Sequence, residues 1–252
     1  MNNSRLFQNI IQDLCKEKAF RTKEIWHSKS AWREMLNSDD FADLINVQKA
    51  VDVIKKQASL FCEKVERGRS GGEKFCSLRK IIEKRSKEED RMERLLVASV
   101  DTMYNRFNFL SGLTATEFDG QTKHMTIDLV EAKDGKVNAF IELKARNNRE
   151  NPLSALCEVV MYFLLFKNVQ KKVDLPIERT KRFHLIVLAP EEYYLYFGEG
   201  QDSPLLEYIS SSMSKRLGAI CKFSKLKIPE GCLNRANKDL ETISSAYQEA
   251  IR

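Results

Sequence analysis

Met125–Arg146 reads MTIDLVEAKDGKVNAFIELKAR. Two alternating runs flank Lys133-Asp134-Gly135-Lys136, and Asp-Gly between such runs is a strong hairpin signal. Side chains alternate between the two faces of a strand, so parity sorts them. On the second run Ala139, Ile141, Leu143 and Ala145 point one way, and Asn138, Phe140, Glu142 and Lys144 the other. On the first, Ile127 and Leu129 oppose Thr126, Asp128 and Val130. Aligning the apolar faces puts Asp128 on the face of Glu142 and Lys144, and requires partners that are both odd or both even. A two-residue Asp134-Gly135 turn pairs Lys133 with Lys136 and sends Asp128 to the wrong side. A three-residue Lys133-Asp134-Gly135 loop, with Gly135 in the left-handed bulge position, satisfies the parity. Core burial favours that register, so the expectation is a bulged or odd-length loop and not a simple two-residue turn.

Outward from the hairpin, Asn151 before Pro152 marks a helix start, and Leu153, Leu156, Cys157, Val160, Met161, Leu164 and Leu165 form its apolar stripe. Phe183 to Ala189 (FHLIVLA) is a nearly unbroken apolar run, the pattern of a strand buried on both faces, and Pro190 ends it. A helix over 205–217, a strand over 219–228 and a terminal helix follow. Upstream, Leu113 to Phe118 (LTATEF) reads as a strand. Residues 1 to about 105 read as mostly helix, with Leu6, Ile10, Ile11 and Leu14 on one face and a long signal from Phe41 onward, broken at Ser70-Gly71-Gly72. The expected architecture is α/β with a mixed sheet over 86–252, preceded by a helical accessory region over 1–85.

The 252 residues carry 42 Lys+Arg against 36 Asp+Glu, a formal charge of +6 that fits a polyanionic partner. Six cysteines without a CxxC pair, and histidines without zinc-ligand spacing, argue against a zinc site and for reduced thiols. The N-terminus has no apolar leader core, and the longest apolar run, VVMYFLLF at 159–166, is too short to span a bilayer, so a cytoplasmic protein without membrane contact is expected.

Two carboxylates projecting together from one face repel, and burial worsens the cost. A divalent cation relieves it. Carboxylates of Asp128 and Glu142 with the Leu143 backbone carbonyl are a ligand set suited to Mg²⁺, with Mn²⁺ as a substitute. Lys144 then stands where it can orient an attacking water or hold a phosphate, and Arg146 and Arg149 follow as phosphate contacts. That is metal-assisted phosphodiester hydrolysis with no covalent intermediate.

These residues resemble the PD-(D/E)XK nucleases, which include type II restriction endonucleases and RecB-type nuclease domains: Asp128, then Glu142-Leu143-Lys144 at the end of a hairpin, then a helix. The resemblance covers about half of the chain and implies a restriction-endonuclease-like αβββαβ core from about residue 88 to 190, with Mg²⁺-dependent cleavage of DNA favoured over RNA. Asp128, Glu142 and Lys144 would be catalytic. Glu93, in EEDRMERLLVASV, is similar to the acid many members supply from the helix before the first strand. Glu158 and Tyr162, in CEVVMY, are similar to the polar-x-x-x-Tyr pattern of RecB-like members. Ile127 stands where the motif's proline would be. The N-terminal region would then bind substrate or build a homodimer.

Blander readings run alongside. Glu-Leu-Lys alone is a common surface ion pair, Glu93 sits among solvated glutamates, and Tyr162 also reads as a core aromatic. His27, His124 and His184 are too dispersed for a metal cluster, and PEEYYLYFGEG over 190–200 has no assignment. The rival function is a catalytically inactive module of the same fold that binds nucleic acid or protein.

Overall fold

The computed structural model describes residues 5–19, 29–38, 40–67, 78, 80, 87–109, 126–170, 177–199, 203–228 and 240–251. At its centre is a five-stranded mixed sheet in chain order: β1 (Met103–Phe107), β2 (Ile127–Lys133), β3 (Lys136–Leu143), β4 (Glu178–Ala189) and β5 (Ile220–Lys225). The first three strands are antiparallel neighbours, and β4 and β5 run parallel to β3. Helices α1 (Arg5–Lys16), α2 (Lys29–Leu36), α3 (Phe41–Leu44), α4 (Val47–Arg67) and α5 (Glu88–Ser99) precede the sheet. α6 (Pro152–Gln170) crosses from β3 to β4, α7 (Glu191–Tyr196) and α8 (Pro204–Leu217) from β4 to β5, and α9 (Leu240–Ile251) ends the fold. The expected α/β architecture with a mixed sheet is therefore found.

The hairpin corrects the expected loop. Lys133 pairs with Lys136 across a two-residue Asp134-Gly135 turn, both residues having positive φ (50° and 72°), the type I′ geometry that Asp-Gly favours. Parity is restored inside the strands. Ala132 pairs with Val137, but Glu131 pairs with Ala139, so Asn138 is an extra residue bulged out of β3. Beyond it Val130 meets Phe140 and Leu129 meets Ile141. Turn chemistry and core burial ask for different registers, and the strand absorbs the difference. The bulge leaves Asn138 Oδ1 buried without a hydrogen-bond partner in the protein.

The bulge sorts the strand residues between the two sheet faces, except that Ile127, expected on the face of Leu129, joins the main core beside its partner Phe107 at the start of β2. Leu129, Ala139, Ile141, Leu143, Ile186 and Leu188 pack under α5 and α9, against Met92, Leu96, Ile243 and Tyr247. Val130, Phe140, Leu185 and Val187 face α6 and join the main core. There Phe107, Phe109, Phe140, Phe166 and Phe183 form a continuous aromatic cluster, with ring centroids 4.9–6.4 Å apart.

α6 starts as expected: Asn151 Oδ1 accepts from Ser154 N at 2.9 Å and Pro152 takes the first turn. From Pro152 to Phe166 every side chain except Glu158 is buried. Although the uninterrupted VVMYFLLF run is short, the whole 19-residue helix is long and apolar enough to cross a membrane, with mean hydropathy 1.4. Yet 83% of its most apolar 18-residue window is buried within the protein, between the sheet and α4.

The long helical signal from Phe41 divides at Ile45, which is extended. Asp40 caps α3 through Ala42 N, and Asn46 Oδ1 accepts from Lys49 N at the start of α4. α1 buries Leu6, Ile10 and Leu14 as expected and packs on α4, which continues the core onto α6 and α8. Trp32 of α2 donates its indole N–H to the buried Glu199 at 2.8 Å and lies edge-on to Phe197, anchoring the 190–199 stretch.

Three further expectations need adjustment. β1 falls at Met103–Phe107, inside what reads as the end of the helical region, whereas Leu113–Phe118 lies outside the described residues, as does Ser70-Gly71-Gly72. β4 begins at Glu178, so Lys181 and Arg182 are strand residues on its exposed first half. β5 ends at Lys225, short of Ile228, because Ala189 supplies its last carbonyl partner to Leu226 N.

The bulge is testable. Gly135→Ala meets no atom within 4 Å of its new Cβ, so it should lose only about 1 kcal/mol, the left-handed penalty, in urea unfolding. Deleting Asn138 sets turn and core registers against each other and should abolish cooperative unfolding.

Candidate active site

The bulged register carries Asp128 to the face of Glu142, one step beyond the Leu129–Ile141 pair, and Leu143 N donates to Asp128 Oδ2 at 3.0 Å. Parity along β3 then sends Lys144 the same way, its backbone held by Leu188 O at 3.1 Å. The three residues expected to be catalytic are therefore together, where β2 begins and β3 ends beneath α6. The Leu143 carbonyl is the backbone oxygen between Glu142 and Lys144.

Lys144 is buried, its side chain only 3% exposed. Its ammonium donates to Glu142 Oε1 at 2.7 Å and Glu150 Oε2 at 2.8 Å, with Glu158 Oε2 at 4.0 Å. Glu158 projects from α6 and is the polar gap in that helix's apolar stripe. One cation thus faces three carboxylates; the charge of Asp128 also acts on Lys144, and that of Glu89 acts on Asp128 and Glu158.

The protons respond accordingly. Burial, then the charge of Glu89, pushes the Asp128 carboxyl up to about 8, against the pull of Lys144 and the Leu143 N–H. Burial and Asp128 drive Glu142 well above the carboxylate range, and burial and Glu142 do the same to Glu158. Burial opposes ionisation of Glu150 too, but the Lys144 ammonium and the Ser154 hydroxyl outweigh it and hold this carboxyl below its usual value. Burial would lower Lys144, yet Glu142, Glu150 and Glu158 together raise it, so it stays charged. On α6, one turn past Glu158, Tyr162 is buried, and its hydroxyl is pushed upward by burial and then by Glu158 and Glu142.

Glu93 is placed elsewhere. Its carboxylate accepts from Asn105 Nδ2 and from Arg106 Nε at 3.2 Å, bracing α5 on β1, with Arg106 in the left-handed region (φ 52°). The α5 acid whose charge reaches Asp128 and Glu158 is Glu89, one turn earlier, which also accepts weakly from Asn148 Nδ2 at 3.4 Å. Reasoning from the sequence missed Glu89 and Glu150. For Glu89 the available signal was its position four residues before Glu93 on the same helix; for Glu150 it was only its place in the loop after Lys144.

Arg146 is half exposed and ion-paired to Glu88 at 2.6 Å, with Glu192 at 3.9 Å. Arg149 is exposed and lies over the Tyr196 ring at 4.0 Å, where Lys29 of α2 also sits, at 3.7 Å. Lys171 and Lys172, His27 and His124 lie outside the described residues; His184 is half-buried on β4 and held below its usual value by burial. A cavity of about 360 Å³ between β5 and α9 shares no residue with the acid cluster.

Asp128, Glu142 and the Leu143 carbonyl are hard oxygen donors, and a cation among them would relieve the repulsion that now keeps protons on the acids. Among the described residues no three His, Cys, Asp or Glu side chains form a preassembled metal cage. No family model, curated protein or solved structure matches this chain.

Asp128 supplies a direct test. The folded protein holds its proton up to about pH 8, whereas an unfolded chain loses it near 3.8, so metal-free stability should fall as pH rises through that window. In urea unfolding without divalent ions, the advantage of Asp128→Asn over the wild type should grow by up to about 1.4 kcal/mol per pH unit across it and level off above. A pH-independent difference would refute the assignment.

Proposed function

We propose that this chain is a Mg²⁺-dependent nuclease that hydrolyses phosphodiester bonds of nucleic acid, DNA ahead of RNA, on the restriction-endonuclease-like core of the PD-(D/E)XK nucleases. The observation that carries this reading is the meeting of Asp128 and Glu142 on one face of adjacent strands with Lys144 among them. The order α5, three antiparallel strands, α6 and then a strand parallel to β3 supports it.

In this reading Asp128, Glu142 and the Leu143 carbonyl hold the ion. Bound there, Mg²⁺ would supply charge stabilisation at the phosphate and a more acidic water. Lys144, kept charged by its acidic neighbours, orients that water or the scissile phosphate. Asp128 is partly accessible to solvent while Glu142 and Lys144 are buried, so the phosphate would approach from the Asp128 side. Arg146 exchanges Glu88 for a backbone phosphate, and Arg149, braced on Tyr196, contacts a second.

One observation favours the rival reading of a non-catalytic binding module: Lys144 already satisfies Glu142 at 2.7 Å, as a fossil site closed by its own lysine would. Calorimetric titration separates the two. A nuclease should bind Mg²⁺ or Mn²⁺ with heat that disappears in Glu142→Gln, and a binding module should give no such heat.

The activity test is incubation with Mg²⁺ or Mn²⁺ and linear, circular, single-stranded and double-stranded DNA and RNA. Cleavage is expected, and Asp128→Asn, Glu142→Gln and Lys144→Ala should each remove it by at least about 100-fold without loss of fold. Undiminished cutting by Glu142→Gln would overturn the proposal.

A further inference from the structure

Glu150 belongs to none of the roles above, yet it is the most firmly held acid at the site. Its carboxylate sits 2.8 Å from Lys144 Nζ, and its other oxygen accepts from the Ser154 hydroxyl at 2.8 Å. Its amide donates to Asn148 Oδ1 at 2.9 Å, and its carbonyl accepts from the Tyr193 hydroxyl at 2.7 Å. Side chain and backbone are thus fixed from three directions: the β3–α6 loop, the first turn of α6, and α7.

We propose that Glu150 is the positioning residue for Lys144, holding its ammonium at the acid pair while Glu142 serves the cation, and that Tyr193 in turn holds Glu150. The inference rests on the nuclease reading. A lysine side chain has four rotatable carbons and a compact charge, so alone it cannot keep one location. Of its three acidic neighbours, Glu142 is committed to the ion, and Glu158, at 4.0 Å, is beyond hydrogen-bond distance. Glu150 is the partner that remains. Its tether also gives a task to the stretch over 190–200: Tyr193 is buried against Tyr194 and Phe197, and the Tyr194 hydroxyl donates to the carbonyls of Val187 and Ser224, so α7 carries the rigidity of β4 and β5 to the loop that aims the lysine.

The experiment compares the wild type with Glu150→Gln, Glu150→Asp and Tyr193→Phe on whichever nucleic acid the wild type cuts. It also follows the ¹⁵N ammonium resonance of Lys144, identified by its loss in Lys144→Arg and visible only while the group is held. Glu150→Gln should lower kcat by about 100-fold, the effect of a small misplacement, with KM unchanged within about three-fold, and should erase the resonance. Glu150→Asp should recover part of kcat. Tyr193→Phe, which keeps the carboxylate and the core ring, should give a smaller kcat loss, so the proposal stays testable even if Glu150→Gln fails to fold. An unchanged kcat or a persisting resonance in Glu150→Gln, or no kcat loss in Tyr193→Phe, overturns the proposal. A wild type that cuts none of the substrates overturns the nuclease reading and this role with it, whereas wild-type cutting that survives Glu150→Gln overturns this role alone.

Discussion

A single ammonium, that of Lys144, lies inside the protein among the carboxylates of Glu142, Glu150 and Glu158, and the surrounding structure has to tolerate it. Withdrawing charges from water costs several kcal/mol each unless hydrogen bonds and opposite charges replace the lost hydration. Here one positive charge cannot neutralise four nearby acids, so protons stay on Asp128, Glu142 and Glu158 at values where exposed carboxyls are ionised. An isolated domain optimised only for stability would fill such a position with leucine. The proposed Mg²⁺ and a phosphate would offset this imbalance when bound.

The rest of the fold serves that placement. A type I′ turn and an apolar sheet face cannot both be satisfied by an unbroken hairpin of this sequence, and the extra residue at Asn138 reconciles them. Without it Asp128 would face α5 and α9, and the acids would lie on opposite sides of the sheet. α6, buried over nearly its whole surface, roofs the acid face and delivers Glu158 and Ser154, while α7 locks the loop containing Glu150. α1 and α4 reinforce α6 from behind, which joins the N-terminal helices to the same core.

How much of this was legible beforehand follows from what each signal can encode. Strand parity has period two and no dependence on distant partners, so the shared face of Asp128, Glu142 and Lys144 could be read from the chain. Parity cannot say where a compensating residue sits, and it fits a bulge in the loop as well as the one that β3 carries. β1 has a weak strand signature because a buried polar residue, Asn105, occupies a slot an apolar one would fill, and Arg106 beside it takes a left-handed conformation. Glu93 and Glu89 are one helical turn apart, and periodicity puts both on one face without revealing which reaches the site. Glu150 lies in a loop, where no period applies; its contacts come from Lys144, Ser154 and Tyr193, and only the three-dimensional fold brings these together.

The most direct test of the central claim is a crystal of the wild-type protein soaked in Mn²⁺ and measured at the manganese absorption edge. The account requires an anomalous peak in contact with the carboxylates of both Asp128 and Glu142, with Lys144 still beside Glu150. A peak touching neither acid, or none at saturating Mn²⁺, would contradict it.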